Sequence, residues 1–192
     1  LLMRVEHAQT LQDEEVQRFA SLGVFAVGNP ALIPRDRAFA LRHLGADAGL
    51  LYRFGSLREA GAPLAFASNA PAGPVDPLHG ILLAVERKGP AEGPELRFYP
   101  RERLSLEDAV YAYTAGGAAA MGLADAGSLE PGKHADMVHL SLDVLSEGGG
   151  GGRTVSRGDR LLQARVVRTF VAGEPVYERR IAEPGGDDSA PL

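Results

Sequence analysis

Residues 63–71 read PLAFASNAP. Leu64 to Ala67 form a short apolar run of the kind expected for a buried strand. The run then meets Ser68 and Asn69, and Pro71 closes it two residues later. This ending decides the reading, because in parallel α/β folds the working residues sit at the carboxyl ends of the strands. A side-chain amide at such a place poses a question of chemistry as well as of fold.

Two earlier segments have the same form. Leu1 to Val5 reads as a short buried strand ending at Glu6-His7, and Val24 to Val27 as a second, broken by Gly28-Asn29-Pro30. Between them Thr10 is expected to cap a helix, with Asp13 in the reciprocal position. Val16, Phe19 and Ala20 give that helix an apolar face, and Gly23 stops it. A polar loop is expected through Pro34, Arg35, Asp36 and Arg37. Ser56 is read as the cap of a short helix ending at Gly61. After Pro71, the residues Leu78, Ile81, Leu82 and Val85 recur at helical spacing. Ser105 with Asp108 opens an alanine-rich helix from Leu106 to about Ala120. Strand and helix thus alternate over the first 120 residues, which predicts parallel strands joined by crossover helices. Their continuous apolar character predicts cover on both faces.

The pattern changes after Gly127. Met137 to Leu140 and Val166 to Val171 are β-like, and Gly173-Glu174 turns into Pro175-Val176-Tyr177. These strands are expected to be antiparallel and to form a small separate layer. The five glycines 148–152 read as a flexible loop tip. The end, from about Glu183, reads as disordered. The domain reading is therefore 1–126, 127–180 and a tail over 181–192.

The chain has 192 residues, 45% hydrophobic and 23% charged, with a net charge of −5 and no cysteine. That suits one sizeable core. It gives no case for nucleic acid or a membrane as partner, and no apolar run is long enough to span a bilayer. Without cysteine there is no disulfide or thiolate metal site, which fits a cytoplasmic protein. Residue 1 is Leu and the sequence opens on strand-like LLMRV, which suggests a fragment; no leader peptide is read in residues 1–10.

Three polar groups stand at the predicted strand ends: Glu6-His7, Asn29 and Ser68-Asn69. His7 is the candidate metal ligand, since neutral imidazole is a common donor to zinc. The alternative is a helix-entry histidine that bonds locally. His43, His79, His134 and His139 pair at no ligand spacing such as HxH or HxxxH. The acidic residues at 13–15 and 107–108 open helices, where negative charge suits the helix dipole. Neither Gly116-Gly117 nor the run at 148–152 fits a phosphate loop.

Several stretches, in order, resemble the C-terminal half of the amidohydrolase superfamily, in particular its YtcJ-like (amidohydrolase 3) group. They are RVEHAQ at 4–9, LGVFAVGNP at 22–30, YRFGSLREAGAPLAFASNAP at 52–71, RLSLEDAVYAYTAGGAAAMG at 103–122, GSLEPGKHADMVHL at 127–140 and VVRTFVAGEPVYE at 166–178. The resemblance implies α/β architecture: a partial TIM (β/α)8 barrel, its last three βα units, followed by part of a small accessory β-sandwich. It implies metal-dependent hydrolysis of C–N bonds in small amide-type substrates by a metal-activated water, with a divalent metal, zinc, in the complete fold. His7 matches the histidine ligand after the sixth strand. Asn69 falls where the family carries a catalytic, metal-binding aspartate after the eighth. Where related sequences carry Gln-Pro-x-His after the seventh strand, this chain has Asn29-Pro30-Ala31-Leu32. The HxH pair after the first strand has no counterpart here. Three strands cannot close an eight-stranded barrel, and open sheet edges invite a partner chain or self-association. The competing expectation is a degenerate module that binds a ligand or a partner supplying the missing strands. The blandest is an α/β domain with no site.

Overall fold

The structure is a computed structural model, and it describes residues 1–89, 92–93, 96–146 and 157–179. The glycine run 148–152 and the tail 181–192 lie outside the described residues.

In chain order the elements are β1 (Arg4–Glu6), α1 (Asp13–Leu22), β2 (Phe25–Gly28), α2 (Ile33–His43), α3 (Phe54–Glu59), β3 (Leu64–Phe66), α4 (Pro77–Glu86), α5 (Leu106–Tyr113), α6 (Ala115–Ala120), β4 (Met137–Leu140), α7 (Arg157–Gln163), β5 (Val166–Val171) and β6 (Glu174–Glu178). The first three strands form one parallel sheet in the order β1-β2-β3. The last three form a separate antiparallel sheet, β4-β5-β6. The expected strand directions are both found.

Register divides the parallel sheet into two faces. Ala26 pairs with Leu64 and Gly28 with Phe66, and Ala26, Leu64 and Phe66 belong to the main core with the helices. Val27 and Ala65 face the other way and meet Ala120 of α6 in a small second cluster. An aromatic chain runs through the main core. Tyr52 meets Phe54, Phe54 meets Phe66 and Phe66 meets Tyr113, with ring centroids 5.8, 4.8 and 5.3 Å apart, all edge to face. Such pairs add about 0.5–1.5 kcal/mol each beyond burial. Gly28 is required beside this chain, because a Cβ there would lie 2.5 Å from the Phe54 ring.

Several local expectations are corrected. β1 is not buried: all three of its residues are exposed, as are Leu1, Leu2 and Met3. It is an edge strand, and its charged residues Arg4 and Glu6 pair with each other at 2.7 Å. Gln12, not Thr10, closes the capping box of α1, with Glu15; Thr10 instead bridges to Leu51. The supposed polar loop at 34–37 is the first turn of α2, where Pro34 fits because its missing N–H would be unpaired there anyway. Ser56 lies inside α3. Its hydroxyl and amide are taken by the buried Glu102 carboxylate at 2.7 and 2.8 Å. The alanine-rich helix is two helices, broken at Thr114. The reading over 127–180 omitted α7. Leu161, Ala164, Val144 and Leu140 join the main core, so this part of the chain is anchored to the first.

Candidate functional site

The parallel order of β1, β2 and β3 brings their carboxyl ends to one edge of the sheet. His7 follows β1, Asn29 follows β2, and Ser68-Asn69 lies just past β3. All the polar residues singled out at strand ends therefore share this rim. Beyond that, they divide into two kinds.

Asn29 is structural. It is 2% exposed, and both ends of its amide are used. Its Oδ1 accepts from the Ala31 amide at 3.1 Å and caps a short 3-10 turn over Pro30–Leu32. Its Nδ2 donates to the Ser68 carbonyl at 2.6 Å. The side chain thereby ties the end of β2 to the end of β3. Gly73 packs against the same pair; a Cβ there would lie 2.5 Å from the Ser68 oxygen and 2.7 Å from Asn29 Nδ2. The turn closes through Asn69, whose carbonyl accepts from the amides of Ala72 and Gly73 at 2.9 and 3.3 Å.

His7 and Asn69 are of the other kind. Both are exposed, and neither side chain makes a hydrogen bond among the described residues. Both have left-handed backbones, with φ of 55° and 52°. Non-glycine residues reach that region at a cost of about 1–2 kcal/mol, least for asparagine, and such residues concentrate at functional sites. Glu6, beside His7, is engaged with Arg4.

The donors on this rim do not make a metal site by themselves. A catalytic zinc is usually held by three protein ligands. Here the rim offers one imidazole and one neutral amide oxygen, and among the described residues no group of three histidine, aspartate or glutamate side chains is placed to hold a metal ion. An amide also cannot accept a proton from water usefully near neutral pH.

A cavity of about 660 Å³ opens elsewhere, between α1 and α3, lined among others by Asp13, Gln17, Arg53, Ser56 and Arg101. Within it the buried Arg53 guanidinium donates to Asp13 and Ser56. None of His7, Asn29 and Asn69 lines it.

What the strand ends did not disclose is a cluster behind His7. The Tyr52 hydroxyl donates to Asp36 Oδ2 at 2.5 Å and accepts from Gln9 Nε2 at 2.6 Å. Gln9 lies inside RVEHAQ, but Asp36 fell in the expected loop and Tyr52 lies 43 residues from Gln9. No local spacing announces their meeting. Burial, and then the bond to Asp36, push the Tyr52 phenol far above its ordinary range.

Comparison with known proteins agrees with this architecture. The LONG AFTER FAR-RED 3 protein of Arabidopsis thaliana is 34% identical over 177 residues, 91% of this chain and 28% of the relative. The N-substituted formamide deformylase of Arthrobacter pascens is 30% identical over 181 residues, 93% of this chain and 31% of that enzyme. Among solved structures, a metal-dependent hydrolase from Pyrococcus furiosus superposes with a TM-score of 0.59 at 31% identity, over 69% of this chain and 26% of that one. The chain thus spans about three-tenths of the length of these curated relatives. No described helix is long and apolar enough to cross a membrane. Residues 2–177 match the amidohydrolase family, and the chain belongs to that family.

Proposed function

We propose that residues 1–126 form the last three βα units of a metal-dependent (β/α)8 barrel, with residues 127–180 contributing to its β-sandwich. In the complete fold this barrel hydrolyses a C–N bond of a small amide- or formamide-type substrate. The supporting observation is the shared rim: a parallel sheet that presents His7 and Asn69 at its carboxyl edge, both left-handed, with side chains unengaged among the described residues. On this reading His7 is one metal ligand, and Asn69 stands in the place of the catalytic carboxylate. The remaining metal ligands come from strands outside these 192 residues, whether from the same polypeptide or from a partner. Because the donors here do not complete a zinc set, the chain's own part in the chemistry is to present one imidazole and to shape one side of the pocket.

Asn69 also favours a second reading, a rim that has lost proton transfer and keeps only binding. The two readings separate by experiment. The 192-residue chain is expected to hold no stoichiometric zinc and to turn over neither N-acyl nor formamide substrates. Asn69→Asp, which tolerates the same backbone, should not change that, because the other ligands are still lacking. Metal-dependent turnover by either protein would refute the incomplete site. Adding a segment with the remaining strands should yield zinc uptake and hydrolysis, improved by Asn69→Asp. Zinc uptake without hydrolysis in both would leave the binding reading.

A further inference from the structure

We propose that Gln9, Asp36 and Tyr52 are positioning residues that set the left-handed backbone of His7 and so the direction of its imidazole. The inference rests on the reading of His7 as the working residue of the rim, but on none of the reading's chemistry.

The geometry carries it in three steps. First, the chain leaves β1 through a tight turn in which the Gln9 amide donates to the His7 carbonyl at 2.6 Å. The Ala8 amide meanwhile donates to the Val27 carbonyl at 3.0 Å. The first bond closes a turn about Ala8, so together the two fix the path by which the chain leaves His7, and that path depends on where Gln9 is held.

Second, Gln9 is held from two sides. Its carbonyl accepts from the Tyr52 amide at 2.6 Å, and Leu11 donates to the Leu50 carbonyl at 3.0 Å, so residues 9–11 lie along residues 50–52 as a short ladder. Its side-chain amide donates to the Tyr52 hydroxyl at 2.6 Å and reaches Asp36 Oδ2 at 3.3 Å.

Third, the anchor is rigid. Tyr52 is fully buried and itself left-handed, with φ of 55°. Its carbonyl is fixed by the buried Arg87 guanidinium at 3.0 Å, which lies over the Phe54 and Phe98 rings. Its hydroxyl donates to Asp36 on α2, whose other oxygen accepts from Arg35 at 2.7 Å. The loop after β1, the helix after β2 and the entry to α3 are thus joined in one hydrogen-bonded junction two residues beyond His7. A buried phenol needs only one partner to be satisfied. This one has two, and the second leads to the loop that bears His7.

The test is nuclear magnetic resonance of the 192-residue chain labelled on histidine. The chain has five histidines, so His43, His79, His134 and His139 serve as internal controls. Gln9→Met and Tyr52→Phe are expected to shift the His7 ring signals and to abolish the left-handed carbon-shift pattern of its backbone, while the other four stay in place. Asp36→Ala should do the same. Asp36→Asn should restore the wild-type His7 signals, because an amide oxygen still accepts from the Tyr52 hydroxyl. His7 signals that stay unmoved in both Gln9→Met and Tyr52→Phe would overturn the proposal. So would a uniform shift of all five, which would mark general loosening. The readout needs neither metal nor turnover, so the assays of the preceding subsection can fail while this one succeeds, and the reverse.

Discussion

Replacing Asn29 with alanine tests whether the rim is held by a side chain instead of by the sheet alone. The substitution removes two bonds at once. Loss of the cap on Ala31, at 3.1 Å, costs about 1 kcal/mol. Loss of the Nδ2 bond to Ser68, at 2.6 Å, leaves a part-buried carbonyl without its partner, which costs about 1–3 kcal/mol. Together they give roughly 2–4 kcal/mol, or a fall in Tm of roughly 4–16 °C for a chain of this size. Urea denaturation followed by circular dichroism measures it, and an unchanged m-value would show that only stability has moved. Asn29→Asp separates the two bonds: it keeps the acceptor for Ala31 but turns a carboxylate toward the Ser68 carbonyl. It should be at least as damaging as alanine near neutral pH. A loss below about 0.5 kcal/mol in the alanine variant, the level of an ordinary surface substitution, would refute the reasoning. An aspartate variant as stable as the parent would show that the bond to Ser68 contributes nothing.

Packing of α6 and burial of Tyr52 set two further outcomes. In α6, Gly116→Ala should cost about 1–3 kcal/mol, because its Cβ would lie 2.5 Å from the Leu64 carbonyl and 3.1 Å from that of Tyr111. Gly117→Ala meets nothing nearer than 3.7 Å and should be neutral or stabilising by up to ~1 kcal/mol; equal urea midpoints for the two variants would contradict the packing of α6 on β3. At alkaline pH, burial and the bond to Asp36 hold the Tyr52 phenol above its unfolded value. Its contribution is therefore fully present below about pH 10 and is lost as pH rises toward the folded value, by about 1.4 kcal/mol per unit. Tyr52→Phe abolishes that slope, so the stability gap between parent and variant should narrow by about 1 kcal/mol between pH 9 and pH 11; a constant gap would show the phenol to be unperturbed.

Much of this protein was legible without coordinates. The alternation of apolar runs with helical spacing, Gly23 as a left-handed stop, the Ser105 cap and the antiparallel strands after Gly127 are all decided within a few residues of chain, and all appear in the structure. The ordered motifs from RVEHAQ to VVRTFVAGEPVYE carried the family. That His7, Asn29 and Asn69 share one edge follows from parallel strands alone.

Tertiary structure decided the rest, for reasons of distance along the chain. Ser56 looks like a cap until Glu102, 46 residues away, takes its hydroxyl. Residues 34–37 look like a loop because their charged side chains hide the first turn of a helix whose Asp36 is claimed by Tyr52. Asn29 and Asn69 are the same residue type, one directly after β2 and the other three residues past β3. One is consumed by Ala31 and Ser68; the other is left facing solvent with a left-handed backbone. Local pattern determines which residues reach the rim. Partners supplied by other elements determine which of them are spent on holding it together and which stay free to act.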